Sequence, residues 1–166
     1  MQKTSTSSMQ KKVPEEVKRI AILPFDNTSG RRDAGKIVAN IFNSEFIKNQ
    51  TFEVVEPGNI NKFLIEEGVI NIGEIDIQRL RLLGKRFGID AVIVGTVEEF
   101  YDGIKGTVPV VSITARMVRT DDGIILWPAY KKKRGDDSMV PFDFGKIRSV
   151  TSLTQSIVKD MLEEIR

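Results

Sequence analysis

Residues 52–100 constrain the fold most strongly, because they form a series of short elements with almost no spare residues between them. The series opens on a short strand and continues into a helical pattern at 59–67. A second helical pattern follows Asp76, a good N-cap residue, and ends at Gly88, which suits the left-handed position after a helix. Residues 89–97 then form an apolar run typical of a strand buried on both faces. This order predicts an α/β domain.

The preceding residues extend the same architecture toward the amino terminus. Residues 19–25 form another apolar run, ended by a proline and a polar loop, and predict a second central strand. Apolar side chains then recur every three or four positions from about 32 to 49, which predicts a helix. Because strand–helix–strand crossovers are right-handed, the short strand at 52–55 should lie parallel to the first. Residues 1–16 are rich in Ser, Thr, Gln and Lys and are expected to be a flexible leader or tether, which leaves 17–166 as the folded domain.

The carboxyl-terminal part has a different pattern. Residues 108–118 alternate apolar and polar side chains, as in an antiparallel strand covered on one face. The Asp-Asp-Gly turn at 121–123 leads to a return strand that begins at 124–127, and a long helix should start near Asp143 or Lys146. We therefore expect one α/β domain with a mixed parallel and antiparallel sheet of about five strands, flanked by helices and ending in a long helix.

The composition excludes several kinds of chemistry. The chain of 166 residues has no Cys and no His, so it offers no thiol nucleophile, no Ser-His-Asp triad and no thiolate or imidazole metal ligand. Its net charge of +2 is too small to imply a nucleic-acid partner. No apolar run approaches the ~20 residues that span a bilayer, and residues 1–12 lack the apolar core of a secretory signal. Either the protein is cytoplasmic or a targeting segment lies upstream of this chain.

Several segments, in the same order, resemble one protein family. They are ILPFDN at 22–27, NSEF at 43–46 leading into FEVVE at 52–56, NINKFLIEE at 59–67, LGKRFGIDAVIVGTV at 83–97 and RTDDGIILW at 119–127. Together they are similar to the soluble domain of the curli secretion channel CsgG and related envelope lipoproteins, and to the TolB amino-terminal domain. The resemblance covers roughly residues 19–127.

The resemblance implies a non-enzymatic domain, without cofactors, that acts through protein–protein contacts in an envelope assembly or secretion process. Its implied location is the periplasmic side of a bacterial membrane, with a tether through a lipidated cysteine that this chain lacks. The implied partners are envelope proteins and further copies of the chain, since the related channel domain packs into a ring. Nucleic acid is not an expected partner.

The chain also departs from the channel. There, two long hairpins leave this domain and cross the membrane, and each crossing strand needs ~9–11 residues. The candidate insertion points here, at 101–107 and 131–140, are too short and the second is highly charged. The chain is therefore not expected to form a pore itself.

The loop of Asp26, Asn27, Ser29 and Gly30 is the first candidate site. It precedes a helix amino terminus, where free amides and the helix dipole can hold an anion, so a small-ligand or nucleotide-binding module is an alternative function. It lacks the glycine density of a phosphate loop, and no Gly-Lys-Ser/Thr follows. The competing interpretation, which the sequence favours, is that Asp26, Asn27 or Ser29 caps the helix.

The basic run Lys131, Lys132, Lys133 and Arg134 is the second candidate. Such a run can contact anionic lipid headgroups or nucleic acid, which makes a cytoplasmic nucleic-acid-binding protein a further alternative. A basic run at a strand end is also a common way to discourage edge pairing. The sequence favours this second interpretation.

The remaining acidic groupings predict no metal or catalytic site. Glu98 and Glu99 are adjacent in a strand and should point to opposite faces, so they could not hold one ion together. The aspartates at 121–122 are explained by the turn. Gly84 and Gly95 are expected to be packing positions, Gly84 where a helix meets the sheet and Gly95 at a bulge or close approach.

Overall fold

The computed structural model describes residues 12–137 and 146–165. The strands are β1 (Arg19–Ile22), β2 (Asp26–Asn27), β3 (Glu53–Val54), β4 (Ala91–Tyr101), β5 (Val110–Arg119) and β6 (Ile125–Arg134). The helices are α1 (Ala34–Asn49), α2 (Pro57–Glu66), α3 (Ile77–Phe87) and α4 (Val150–Ile165), with a short 3-10 helix at Ile72–Glu74.

The strands form one mixed sheet in the order β3-β1-β4-β5-β6, with β2 paired to β4 beyond the end of β1. β3 and β4 both run parallel to β1, and Ile20 lies between Val54 and Ala91. β4, β5 and β6 form an antiparallel meander. The predicted α/β class, the mixed sheet and the parallel relation of β1 and β3 are therefore confirmed.

Helices cover the two faces of the sheet unequally. On one face, α1 and α4 bury a core that extends under β1, β4, β5 and β6 and includes Phe42, Met117 and Trp127. On the other face, α2 and α3 bury a smaller core over β1 and the first half of β4, with Val118 as its only member from β5 among the described residues. The β5–β6 part of this second face has no helix above it in the described part of the chain.

Local signals explain the element ends. The Asp76 carboxylate accepts a hydrogen bond from the Arg79 amide at 2.8 Å, and Gly88 ends α3 with a φ of 65°. Both predicted caps are therefore confirmed. This capping amide is the main reason that the pKa of Asp76 is lowered.

Two glycines are required by close packing, as expected. A Cβ on Gly95 would lie 2.5 Å from the Thr114 carbonyl oxygen and 2.7 Å from the Phe25 ring, so Phe25 can pack directly on the strand only above a glycine. A Cβ on Gly84 would lie 2.7 Å from the Thr120 hydroxyl, where α3 meets the end of β5.

Several boundaries differ from the expected ones. The apolar run at 19–25 is interrupted after β1, and β4 and β6 extend further than the sequence pattern indicated. The last helix starts at Val150 rather than near Lys146, and Asp143 lies outside the described residues. Val13 and Val17 are buried in the larger core, so packed residues begin inside the predicted 1–16 leader, of which residues 1–11 lie outside the described range. Among the described helices, none has the length and hydropathy needed to cross a membrane.

Candidate functional site

The start of the 26–30 loop is part of the sheet. Asp26 and Asn27 pair with β4 as strand β2. The Asp26 carboxylate accepts hydrogen bonds from the amides of Ile72 and Gly73, at 3.2 and 2.8 Å. Asp26 therefore ties the end of β1 to the 3-10 helix, and its oxygens are occupied by backbone donors.

The rest of the loop is bonded to itself. Asn27 Oδ1 accepts from the Ser29 amide at 3.0 Å and from its hydroxyl at 2.6 Å, and Asn27 Nδ2 donates to the Arg31 carbonyl at 2.6 Å. Gly30 has a φ of 80°, which suits glycine. The N-cap of α1 is Asp33, which makes no side-chain capping bond, so the expected capping by Asp26, Asn27 or Ser29 is wrong. A ligand in this loop would have to displace these internal bonds.

The basic run forms the second half of β6, and its side chains alternate between the two faces of the sheet. Lys131 and Lys133 face α4, where Lys131 pairs with Glu164 and Lys133 pairs with Asp160 at 2.7 Å. Lys133 also donates to the Ser156 hydroxyl at 2.8 Å. The hydrogen bond from Lys131 to Glu164 is the main reason that the pKa of this lysine is raised. These two lysines hold α4 against β6.

The other two cations lie on the opposite face. Lys132 pairs with Glu99 at 2.6 Å, and this hydrogen bond is the main cause of its raised pKa. Arg134 pairs with Asp136 at 3.2 Å. All four cations therefore have carboxylate partners within the domain. A polyanion would have to compete with these ion pairs to bind here.

Among the described strands β6 is the outer one, and its outward edge is protected. The amide of Gly135 donates to the Pro109 carbonyl at 2.9 Å, which fixes the hydrogen-bonding phase of the β5–β6 ladder. In this ladder, Pro128, Tyr130, Lys132 and Arg134 therefore direct their backbone groups away from β5, toward the outer edge of the sheet. Pro128 has no N–H to offer there, and the Arg134 amide is already bonded to Asp137 at 2.7 Å. Proline and the basic run thus blunt this edge.

A bulge shapes the uncovered sheet face. The β4–β5 register shifts between Val97 and Glu99, so that Glu99 lies opposite Ser112. The Glu98 carboxylate accepts hydrogen bonds from the Ser112 hydroxyl at 3.2 Å and the Thr114 hydroxyl at 2.5 Å. Glu98 and Glu99 therefore lie on the same face, and the prediction of opposite faces is wrong because the bulge interrupts the alternation. No group of residues suited to hold a metal ion occurs in the described ranges.

Next to these polar contacts is a largely apolar depression, which we call the sheet groove, with a volume of about 400 Å³. Its floor combines Val92 and Val94 of β4, which are buried, with Arg116 of β5, which is exposed, and its walls come from the start of α3 and the β5–β6 hairpin. The lining residues are Ile75, Ile77, Leu80, Val92, Val94, Arg116, Val118, Asp122, Gly123 and Ile125. Ile125 is 44% exposed on the hairpin wall. Asp122 bonds to the Ile124 amide and pairs with Arg119 at 3.0 Å.

A second depression of about 230 Å³ adjoins the sheet groove, and the two share Ile75 as a wall. Ile70 and Glu74 line this smaller depression. Ile70 follows α2 and is 92% exposed, and Ile65 near the end of α2 is 80% exposed. We call Ile70 and Glu74 together the Ile70 knob. Monomeric proteins rarely leave extended apolar patches in water, so knob and groove together suit a contact with another protein.

Solved structures show that other chains adopt this fold at low sequence identity. A dodecamer of a single-substitution variant of PelC from Paraburkholderia phytofirmans matches with a TM-score of 0.64 and 15% identity over 93% of each chain. Lipoprotein GNA1162 from Neisseria meningitidis matches with a TM-score of 0.61 and 22% identity, over 89% of this chain and 99% of that one. The LpoB C-terminal domain from Escherichia coli matches with a TM-score of 0.50 and 9% identity, over 70% and 82%. At these identities the likeness shows the fold alone.

No protein-family model matches the sequence, and no curated protein is significantly similar to it. The resemblance to the CsgG and TolB families therefore stays a prediction.

Sequence reasoning missed the knob and the groove. One signal was available, because isoleucine in the Gly-rich loop at 68–73 and at 124–125 beside a turn is unusual in purely connecting segments. The groove itself depends on the distance between α3 and the β5–β6 hairpin, which the sequence does not state.

Proposed function

We propose that this chain is a non-enzymatic domain of the bacterial cell envelope that acts through protein–protein contacts, including contacts with further copies of itself. The observation that carries this proposal is the exposed isoleucine of the Ile70 knob, 92% exposed, beside the exposed wall of the sheet groove, where Ile125 is 44% exposed. The two polar candidate sites also favour a protein-contact role over ligand binding. The basic run forms ion pairs within the domain, and the 26–30 loop forms hydrogen bonds within the domain.

The comparisons support the envelope location and the self-association. A fold match that covers nearly all of a lipoprotein is consistent with a domain tethered by an upstream lipid anchor. A match over 93% of each chain with a dodecamer shows a chain of this fold in a homo-oligomer. We place the domain on the periplasmic side of the membrane, as a part of an envelope assembly or secretion process that does not itself form a pore.

Cell fractionation tests the location. The native gene, with its own upstream sequence and a carboxyl-terminal tag, is expressed in the source organism, and the envelope and cytosolic fractions are separated. We expect the protein in the envelope fraction, in contact with other envelope proteins after cross-linking of intact cells. Recovery in the cytosol, with no cross-linked species, would contradict the proposal.

The two alternatives predict different results in vitro. A nucleotide-binding module should gain melting temperature when nucleotides or phosphorylated sugars are added, since a ligand of the folded state stabilises it. A nucleic-acid binder should bind DNA or RNA at low salt, with an affinity that falls steeply as salt is raised. We expect neither, and a clear shift in either assay would favour the corresponding alternative.

A further inference from the structure

We infer that two copies of this chain bind each other through the Ile70 knob and the sheet groove, with the knob of each copy seated in the groove of the other. The inference rests on the proposed function and deepens it by assigning one surface of self-association, a two-fold contact that joins copies in pairs, whereas a ring would need a second, head-to-tail surface. The surface has both halves of a complementary contact: an isoleucine that is 92% exposed beside a carboxylate, and a largely apolar depression with an arginine.

The apolar halves match in kind. Ile70, in the loop after α2, is 92% exposed. The accessible aliphatic part of the groove is its wall, with Ile77 half-buried and Ile125 44% exposed, whereas Val92 and Val94 of the floor are buried. An isoleucine side chain entering this groove would replace water on both surfaces by aliphatic contacts. A buried apolar anchor in a pocket is typical of the residues that dominate interface energy.

The charged halves match as well. Glu74 is exposed beside Ile70, and Arg116 is exposed on the floor of the groove. Within the described ranges neither side chain has an ion-pair partner, whereas Arg79 is paired with Asp76 and Arg119 with Asp122. Seating the knob of one copy in the groove of another would bring a free carboxylate toward a free guanidinium. Such complementarity favours a defined orientation of the two copies.

The arrangement of knob and groove favours a two-fold contact. Ile75 forms a wall of both depressions, so knob and groove lie side by side on the same surface of the molecule. A two-fold interface needs such a self-complementary patch, in which residue i contacts residue j and j contacts i. Pairing of β6 edges is disfavoured, because Pro128 and the basic run protect that edge.

Matched single substitutions test the apolar contact on the full chain. Sedimentation equilibrium over a wide concentration range gives the dissociation constant for the unmodified protein, for Ile70→Asp and for Ile104→Asp. Ile104 is also a loop isoleucine and is 72% exposed. It follows the carboxyl end of β4, whereas the groove contains residues from the first half of that strand. We expect Ile70→Asp to weaken self-association by at least about tenfold, as for an interface anchor, and Ile104→Asp to leave it unchanged. Both variants should remain folded, with a melting temperature close to that of the unmodified protein.

Charge reversal tests the orientation. Glu74→Arg and Arg116→Glu should each weaken self-association, and the double variant should recover most of the loss. Because the chain has no Cys, a disulfide can also report the contact. An equimolar mixture of Ile70→Cys and Ile125→Cys proteins should form a mixed covalent dimer under mild oxidation, whereas Ile104→Cys with Ile125→Cys should not.

The outcomes separate this inference from the proposed function. A protein that stays monomeric at all concentrations overturns the inference, and so does self-association that responds equally to Ile70→Asp and Ile104→Asp or a double charge variant without recovery. None of these results changes the cellular location, which the fractionation experiment decides independently. Envelope location with a failed knob-and-groove test would leave the proposed function standing with a different contact surface.

Discussion

The two faces of the sheet are covered to different extents, and the difference follows from the sequence of the strands beneath them. β4 begins with four consecutive buried residues, Ala91 to Val94, and both of its faces are covered there. β5 and β6 alternate, so that Met117 and Trp127 point into the α1/α4 core while Arg116 and Tyr130 point into solvent. Continuous apolar runs are typical of strands buried on both faces, and alternation is typical of strands buried on one.

We therefore expect stability to come mainly from the covered face, and the proposed function assigns partner binding to the open one. The covered face carries a line of aromatic rings, in which Phe25, Phe42, Phe46 and Phe52 follow each other at centroid distances of 4.8 to 6.2 Å. The open face carries hydroxyls, ion pairs and the groove floor. Substitutions on the two faces should therefore affect different measurements.

The largest expected difference is between Phe42→Ala and Tyr130→Ala. Phe42 is fully buried, and its removal leaves a cavity, so the free energy of unfolding should fall by about 3–5 kcal/mol. Tyr130 is 61% exposed and shares only a long 3.3 Å hydrogen bond with Ser112, so its loss should cost about 0.5 kcal/mol or less. Urea unfolding followed by circular dichroism measures both. Equal losses would contradict the assignment of stability to the covered face.

Gly95→Ala should give the next largest effect, because the added methyl group points into the covered face. The methyl group would meet the Thr114 carbonyl and the Phe25 ring, so backbone and ring must both shift. Overpacking of this kind costs about 1–3 kcal/mol. The control is Gly30→Ala, where no atom lies within 4 Å of the added Cβ and only the positive φ is strained. A smaller loss for Gly95→Ala than for Gly30→Ala would show that the ring of Phe25 moves away freely.

The sequence was sufficient to predict an element of the fold where the local residue pattern and the burial of its side chains agree. The helical stripes, the caps at Asp76 and Gly88 and the parallel β1–β3 pair follow from periodicity, capping and the handedness of crossovers. β2 could not be predicted, since Asp26 and Asn27 have no strand propensity and pair only because β4 lies beside them. The neighbouring strand β4, rather than the local sequence, therefore determines β2.

The candidate sites were harder to predict because their partners are distant along the chain. The basic run looked available in the sequence, yet Lys131 pairs with Glu164 and Lys133 with Asp160 across the α4–β6 contact. The bulge at Glu98 interrupts the expected alternation of side chains along β4. Sequence alone gives the charges, whereas the packing of helices on the sheet decides which of them remain free.

A smaller effect is expected at the edge of the α3 contact, where the α2/α3 face ends. The buried Thr120 hydroxyl donates to the Ile89 carbonyl at 2.7 Å. Thr120→Val keeps the shape but leaves a buried carbonyl with one partner fewer, which should cost about 1–2 kcal/mol. Thr120→Ser keeps the donor and should recover part of this loss. Thermal unfolding of the unmodified protein and the two variants measures their order of stability. A Val variant as stable as the Ser variant would show that the hydroxyl does not contribute to stability.

The smallest effect is expected for two neighbouring lysines of β6, Lys131 and Lys132, which lie on opposite faces of the sheet. The pKa of Lys131 is raised above 10.5, first by its hydrogen bond to Glu164, and the pKa of Lys132 is raised first by Glu99. A lysine whose folded pKa is raised contributes stability that is fully present below its unfolded pKa and is lost as the pH rises through the folded one. The ion pairs should therefore stabilise the fold at neutral pH and weaken above about pH 10.5.

Arginine substitutions separate the two lysines, because a guanidinium stays charged in this pH range. Between about pH 10 and 12, the melting temperature of Lys131→Arg should fall less than that of the unmodified protein, with equal values near pH 8. Lys132→Arg should show a smaller difference, since the Lys132 pair is more exposed than the Lys131 pair, 45% against 32% for the two lysine side chains. Added salt should reduce the Lys132 difference further, because exposed pairs are screened more strongly. Equal pH profiles for both variants would mean that the covered face protects its ion pairs no better than the open face.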